Sequence, residues 1–269
     1  MFKPGKVKLG MAPIAWTNDD MPDLGSDNTF EQCVSEMALA GFTGTEIGNK
    51  YPKDPAILAR ALSLRGLEIA NAWFSSFLTT RPFEETERGF IRQCDFLKAM
   101  GSGLIGVSEQ GNSIQGQMET PLFEARHVMN EEEWRRLANG LNRLGVLAAG
   151  KGIRLAYHHH MGTVVQTPAE TDRLMAETDP DRVGLLFDSG HFACSGADPL
   201  SMLEKHIRRV RHVHLKDIRP AVIERVRAER LSFLKGVRLG AFTVPGDGSI
   251  DFVPIFSLLA EAGYEGWLL

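Results

Sequence analysis

Val183-Gly184-Leu185-Leu186-Phe187-Asp188-Ser189-Gly190-His191 decides how this chain is read. A run of apolar residues ends at an aspartate, followed by a small-residue turn and a histidine. Taken as a buried strand, it leaves Asp188 at the strand's C-terminal end and His191 on the turn beyond. The same design recurs on either side, as IRLAYHHH from Ile153 to His160 and VRHVHLKD from Val210 to Asp217. Three successive strands would then bring His158, Asp188 and His214 to one edge. In a parallel barrel that edge is the active-site face, because the interior is packed and the loops after the strands line the mouth.

Working outward, strand and helix signals alternate along the whole chain. The first strand is predicted from Val7 to Ala15, followed by a helix capped by Asn28 and running to about Ala40. A short second strand, Gly44 to Ile47, ends near Glu46. Asp54-Pro55 starts a helix from Ala56 to Arg65, with proline where a missing N–H costs nothing. The third strand is Leu67 to Phe74 and a helix spans Glu84 to Met100. The fourth strand, Gly103 to Ser108, leaves Glu109 and Gln110 at its end. Gly111 to Met129 is a long connection of the kind used for lids and binding loops. Asn130 with Glu133, and Thr167-Pro168 with Glu170, read as capping boxes. Asp198-Pro199 begins another helix. A second insertion, Ile218 to Phe242, is predicted to be partly helical from Val222 to Arg238. Pro245 to Gly248 is a turn, Phe252 to Ala262 a helix, and Trp267-Leu268-Leu269 an eighth strand. This alternation predicts an α/β fold, one (β/α)8 TIM barrel over residues 1–269, cut short at the eighth strand.

The totals agree with such a fold. The chain has 269 residues, 43% hydrophobic and 24% charged, as in a globular protein with a substantial core. A formal charge of -4 offers no basic field for nucleic acid or an anionic membrane. A small-molecule partner is expected, and an assembly of identical chains is left open. Cys33, Cys94 and Cys194 are scattered and odd in number, which suggests neither a disulfide framework nor a zinc knuckle. No apolar stretch is long enough for a signal peptide or a membrane span, so a reducing cytoplasm is the expected location.

The chemistry gathers at the strand ends. Nitrogen and oxygen donors from His158, Asp188 and His214 suit a divalent transition ion better than Mg or Ca, with positions left for substrate oxygens. Asp188 could instead merely cap the following turn. Alternate residues of a strand share a direction, so His158 and His160 point one way and His159 the other. We assign His158 to the metal and His160 to substrate or proton transfer, with the reverse also open. His212 is either a support for the site or a packed core histidine. His191 is a catalytic candidate unless it is simply exposed, and Lys216 could steady developing negative charge unless it is simply solvated. Trp16, Asn18, Glu46, Trp73, Glu109 and Gln110 are predicted at the same mouth as substrate-binding residues. Neither a dinucleotide nor a P-loop glycine motif occurs, and Ser189 lacks the glycine that a nucleophile elbow requires.

FDSGH and HVHLKD resemble the xylose-isomerase-like barrel superfamily of epimerases, isomerases, dehydratases and endonucleases. Within it, APIAWTNDDMPDLG (Ala12 to Gly25), SEQGNSIQG (Ser108 to Gly116), YHHHMGT (Tyr157 to Thr163) and FTVPGDGSIDF (Phe242 to Phe252) resemble the inosose dehydratase family. The resemblance implies loss of water from 2-keto-myo-inositol to a trihydroxycyclohexane dione, with Mn or Co and glutathione as requirements. It places Asp188 and His214 on metal-ligand positions and His191 on a substrate-contacting one. His158 stands where many of the epimerases carry a glutamate, which counts against their two-glutamate proton exchange. A fourth ligand of the superfamily, a glutamate after residues like Gly266 to Leu269, would lie past the last residue here. A metal-assisted β-elimination fits, with His160 and His191 as acid and base in either order and Lys216 beside the enolate oxygen. The rivals are a metal-dependent ketose epimerase, an endonuclease-like enzyme disfavoured by the acidic balance, and a sugar-binding barrel without turnover.

Overall fold

The computed structural model describes residues 1–269. Its strands are β1 (Val7–Met11), β2 (Gly44–Glu46), β3 (Glu68–Asn71), β4 (Trp73–Ser76), β5 (Leu104–Glu109), β6 (Arg154–His158), β7 (Val183–Asp188), β8 (Val210–His214), β9 (Asp217–Ile218), β10 (Phe242–Thr243) and β11 (Gly266–Leu268). The large sheet has the order β3-β2-β1-β11-β8-β7-β6-β5-β4, and its paired strands are parallel. Its two ends, β3 and β4, are joined through Ala72, so the sheet closes on itself as the predicted barrel.

The third strand, expected as one piece, is thus two. β3 pairs only with β2 and β4 with β5, and the Ala72 carbonyl between them accepts the Gly106 N–H at 3.0 Å. The first strand is shorter than expected. It stops at Met11, and Pro13–Ala15 forms a single 3-10 turn, because a proline has no N–H to continue the ladder.

The helices are α1 (Phe30–Leu39), α2 (Pro55–Ser63), α3 (Phe83–Ala99), α4 (Glu131–Gly150), α5 (Pro168–Glu177), α6 (Ser189–Cys194), α7 (Pro199–His206), α8 (Pro220–Ala228), α9 (Phe233–Arg238) and α10 (Phe252–Glu261). Both expected capping boxes form: Asn130 accepts from the Glu133 N–H while Glu133 returns to Asn130, and Thr167 and Glu170 do the same. Asp54 and Asp198 cap α2 and α7 ahead of their prolines. The cap of α1 is Thr29, not Asn28. The Asn28 amide is spent on the Trp16 carbonyl at 2.6 Å.

The main core lies between barrel and helices. Leu58, Leu62, Leu137, Leu141 and Phe90 are wholly or almost wholly buried there, each worth about 1.5–3 kcal/mol of transfer free energy. Inside the barrel, Leu104, Ala156 and Leu186 form a small apolar plug. A separate apolar cluster includes Met21, Leu122, Met161, Ile223, Val226 and Phe233. It joins the Ile218 to Phe242 insertion to the loops after β1, β5 and β6. That insertion is a hairpin of α8 and α9 whose neck is closed by the antiparallel β9–β10 pair. The predicted helix across Val222 to Arg238 is broken between them: Arg230 takes a left-handed φ of 52°, and Ser232 caps α9 by accepting the Lys235 N–H. No helix is long and apolar enough to cross a membrane.

Candidate metal and substrate site

β6, β7 and β8 lie side by side, and past a register shift at Leu185–Leu186 Asp188 stands opposite His214, with His158 opposite Leu186. The strand ends therefore bring His158, Asp188 and His214 together, all buried. Asp188 Oδ2 lies 3.3 Å from His158 Nε2 and 3.5 Å from His214 Nδ1. Two donors each about 2.1 Å from one cation lie about 3.0–3.4 Å apart; the two Asp188–histidine distances are close to this, and the three donor atoms all fall within 4.8 Å of one another, a candidate set of ligands for one divalent ion. The two sequence readings of Asp188 are compatible, because its oxygens divide the work. Oδ1 accepts the His191 N–H at 3.0 Å and caps α6, while Oδ2 faces the histidines.

Lys216 Nζ also touches Asp188 Oδ2, so this lysine is not a solvated surface group. Burial opposes the Asp188 charge, but Lys216 and the surrounding histidines outweigh it and hold the carboxyl well below the usual range. Burial pushes His158 down to about 4, which leaves its ring neutral and able to bind a cation at pH 7.

Glu46 was expected to meet substrate. Instead its carboxylate is turned into the barrel, 2.9 Å from His214 Nε2, and accepts from Asn71 Nδ2 at 2.8 Å. A carboxylate on the far nitrogen of a histidine fixes which nitrogen faces the site. Burial lowers and Glu46 raises the His214 pKa, with the net shift upward. His212, deeper on the same strand, lies 3.8 Å from Glu46 and is buried, with neither ring nitrogen hydrogen-bonded.

The triple histidine divides as the strand period predicts. His158 and His160 stay on one side, ring centroids 5.4 Å apart, and His159 turns away to stack on Phe192 at 3.7 Å. His160 and His191 face each other with centroids 3.8 Å apart. His191 is 2% exposed, so it is not the free loop residue its position allowed. The Met161 backbone touches both rings. His160 Nδ1 is 2.9 Å from the Met161 carbonyl oxygen, and the Met161 N–H donates to His191 Nδ1 at 3.4 Å.

Of the other expected mouth residues, Trp73 reaches the cluster, with its ring 5.4 Å from His158 and 5.5 Å from His160. Glu109 does not. It is fully buried, and its two oxygens accept from Ser76 Oγ, the Leu78 N–H, the Thr79 N–H and hydroxyl, and the Gly111 N–H. A carboxylate with five donors has nothing left for substrate. Trp16 and Asn18 serve the β1–α1 loop: the indole N–H bonds Glu36, and Asn18 Oδ1 accepts the Asp20 and Met21 N–H groups. Gln110 starts a polar chain across the mouth, bonding Gln115, which bonds Asp20.

Sequence reasoning missed the roof. Phe233, at the start of α9, packs 5.1 Å from His160 and 6.1 Å from His191, and Phe242 lies 5.1 Å from His191. It also missed Asp217, a buried carboxylate that accepts the N–H groups of Ile218, Gly246, Gly248, Ser249 and Ile250 and so wraps the Pro245 to Ile250 turn around itself. The only advance sign of that turn was its glycines.

The xylose isomerase-like TIM barrel family matches residues 34–269. An inosose dehydratase of Clostridium botulinum (strain Eklund 17B / Type B) is 67% identical over 269 residues, 100% of this chain and 90% of that protein. The inosose dehydratase of Geobacillus thermodenitrificans (strain NG80-2) is 65% identical over the same share of each. Among solved structures, the IolI protein with a binding zinc atom superposes with a TM-score of 0.70 at 17% identity, covering 97% of this chain and 87% of that one. A probable 3-DHS dehydratase, AsbF from Bacillus anthracis, gives 0.66 at 16% identity over 97% of this chain and 91% of its own. At such identities the two structures speak for the fold.

Proposed function

The chain belongs to the xylose isomerase-like TIM barrel family and, within it, to the inosose dehydratases, and on that footing we propose that it is a hydro-lyase of myo-inositol catabolism. It removes water from 2-keto-myo-inositol to give a trihydroxycyclohexane dione. The observation that carries this reading is identity along the whole chain with proteins of that name. His158, Asp188 and His214 would hold a divalent ion, Mn or Co, and Glu46 would keep the His214 Nδ1 lone pair turned toward it. When bound, such an ion polarises the ketone and a neighbouring hydroxyl and so favours loss of the α proton.

From the backbone N–H and C=O of Met161 we assign which histidine is base and which is acid. A carbonyl oxygen accepts only, so His160 Nδ1 carries the proton toward it and Nε2 keeps its lone pair. An N–H donates only, so His191 Nδ1 accepts and the neutral ring carries its proton on Nε2, 3.9 Å from Asp188 Oδ2. His160 then takes the α proton, the C–H electrons form the new C=C bond, and the β C–O bond breaks. The departing hydroxyl takes the His191 Nε2 proton and leaves as water, the proton gained by His160 passes to the facing His191 ring so that both end neutral, and the enol becomes the dione. The Lys216 ammonium offsets the charge that develops on the enolate oxygen.

The test is an anaerobic assay of Mn- or Co-loaded protein with 2-keto-myo-inositol, following the ultraviolet absorbance of the dione, with and without glutathione. Dione that forms, disappears on chelation and returns on reloading supports the reading. A folded, metal-loaded protein that isomerises a ketose but releases no dione would refute it. Nitrogen-15 spectra of the two rings check the acid and base, with the proton expected on His160 Nδ1 and on His191 Nε2.

A further inference from the structure

The walls of the site are of two kinds. From below and from the side come charged and hydrogen-bonding groups: Asp188, His158, His214 and Lys216. From above come carbon surfaces, supplied by the insertion between β9 and β10. Phe233 is the first residue of α9, and its ring lies almost parallel to that of His191, at 28°. Phe242, on the neck of the insertion, packs 5.8 Å from Phe233 and completes the surface. Phe233 lies against both His160 and His191, and Phe242 against His191. Phe233 is 7% exposed, its helix is anchored through Leu234 in the same apolar cluster, and Ala241 beyond the helix joins that cluster. The surface is therefore held in place rather than freely mobile.

This matters for a ring ketone. In the chair form of myo-inositol one hydroxyl is axial, at the carbon that is a ketone in 2-keto-myo-inositol. The ketone therefore has its remaining hydroxyls all equatorial, and each face of its ring is a sheet of axial C–H bonds. Such a face suits an aromatic wall, whereas an axial hydroxyl pressed against a phenyl ring would lose its water and gain no partner.

We propose that Phe233, backed by Phe242, is the specificity-determining surface of the site: it takes the hydroxyl-free face of a cyclitol ring and rejects rings that carry an axial hydroxyl. The inference rests on the proposed dehydratase reading for its ligand class. It goes beyond that reading in assigning stereochemical choice to the insertion rather than to the strand ends.

The probes are two unreactive cyclitols, scyllo-inositol, with every hydroxyl equatorial, and myo-inositol, with one axial. Their binding to the Mn-loaded protein is measured by calorimetry and as competitive inhibition of dione formation. The wild type is expected to favour scyllo-inositol by about tenfold or more. Phe233→Leu, which keeps an apolar side chain in the roof, should bring the ratio below about threefold, chiefly by weakening scyllo-inositol. Phe242→Leu should move it the same way by less. Circular dichroism and melting confirm that each variant is folded. If Phe233→Leu does not fold, Phe242→Leu decides. A wild type that binds the two equally or binds neither, or a ratio unchanged in a folded variant, overturns the proposal. Absence of dione from the wild type would overturn the reaction instead, and the calorimetric ratio would still judge the wall.

Discussion

Replacing Glu109 by glutamine separates a substrate contact from a structural staple. The carboxylate is buried, with two donors on Oε2 (Ser76 Oγ and the Leu78 N–H) and three on Oε1 (the Thr79 N–H and hydroxyl, and the Gly111 N–H). Glutamine has the same shape but only one accepting oxygen. It is best placed on the three-donor side, leaving its NH2 toward Ser76 and Leu78. The Ser76 hydroxyl can rotate to accept, but the Leu78 N–H cannot. One orphaned backbone N–H costs about 1–3 kcal/mol, and weakening the remaining bonds by removing their charge adds about 1 kcal/mol after the relief of no longer burying an ion. The sum is a loss of about 3 kcal/mol, or roughly 6–12 °C in Tm for a chain of this size. Urea unfolding of Glu109→Gln, beside KM for 2-keto-myo-inositol, is the measurement. A stability loss under 1 kcal/mol together with a raised KM would show that the carboxylate meets substrate after all and that the five-donor argument is wrong.

The other expectations are briefer. At Gly248 a Cβ would sit 2.3 Å from both Asp217 Oδ1 and the Ile218 carbonyl oxygen, so Gly248→Ala should cost about 2 kcal/mol in urea unfolding, and an unchanged midpoint would mean that the turn is not wrapped around Asp217. Glu46→Gln should weaken Mn binding about 10–100-fold in a chelator competition, and equal affinity would deny Glu46 its hold on His214. Burial raises the Glu46 pKa, but His214 and His212 outweigh it and hold the carboxyl well below its usual value. Its contribution is therefore present above the unfolded value near 4.3 and lost as pH falls through the lower folded one, so the Tm gap between wild type and Glu46→Gln should narrow below about pH 4. The roof is tied to neighbouring loops by the exposed pairs Arg238–Asp23, Lys235–Glu119 and Arg230–Glu124. Each is worth about 0–1 kcal/mol and is screened by salt. Tryptic cleavage at Arg230, followed by mass spectrometry, should therefore speed up by about fivefold at high salt, and a rate indifferent to salt would show that the pairs do not hold the roof.

The features legible in the sequence were the periodic and the local ones. Apolar strands that end in polar residues announce a barrel, because each strand is buried on both faces and opens only at its end. Caps such as Asn130 with Glu133 are visible because both partners lie within one turn. The alternation of His158, His159 and His160 carried past the strand end because the chain stays extended until His160 N–H meets the Val165 carbonyl. What escaped depends on partners far along the chain. At the end of a strand, Glu109 looks the same whether it meets a sugar or the amides of Leu78 and Gly111, and only the path of those loops distinguishes the two. Glu46 likewise sits at a strand end yet turns inward, because His214, 168 residues away, offers it a donor. Phe233 gave no signal because its importance comes from the insertion folding back over the barrel on Met21, Leu122 and Met161.

The split duty of Asp188 makes the amide of His191 a built-in gauge. The carboxylate is one conjugated unit, so charge withdrawn from Oδ2 by a bound cation is charge lost from Oδ1, where the His191 N–H donates. Filling the site with a cation is expected to weaken that hydrogen bond, which an upfield shift of the His191 amide proton would report. A single carboxylate thus ties the barrel mouth to the first turn of α6, whose Phe192 packs on His159 behind the barrel wall.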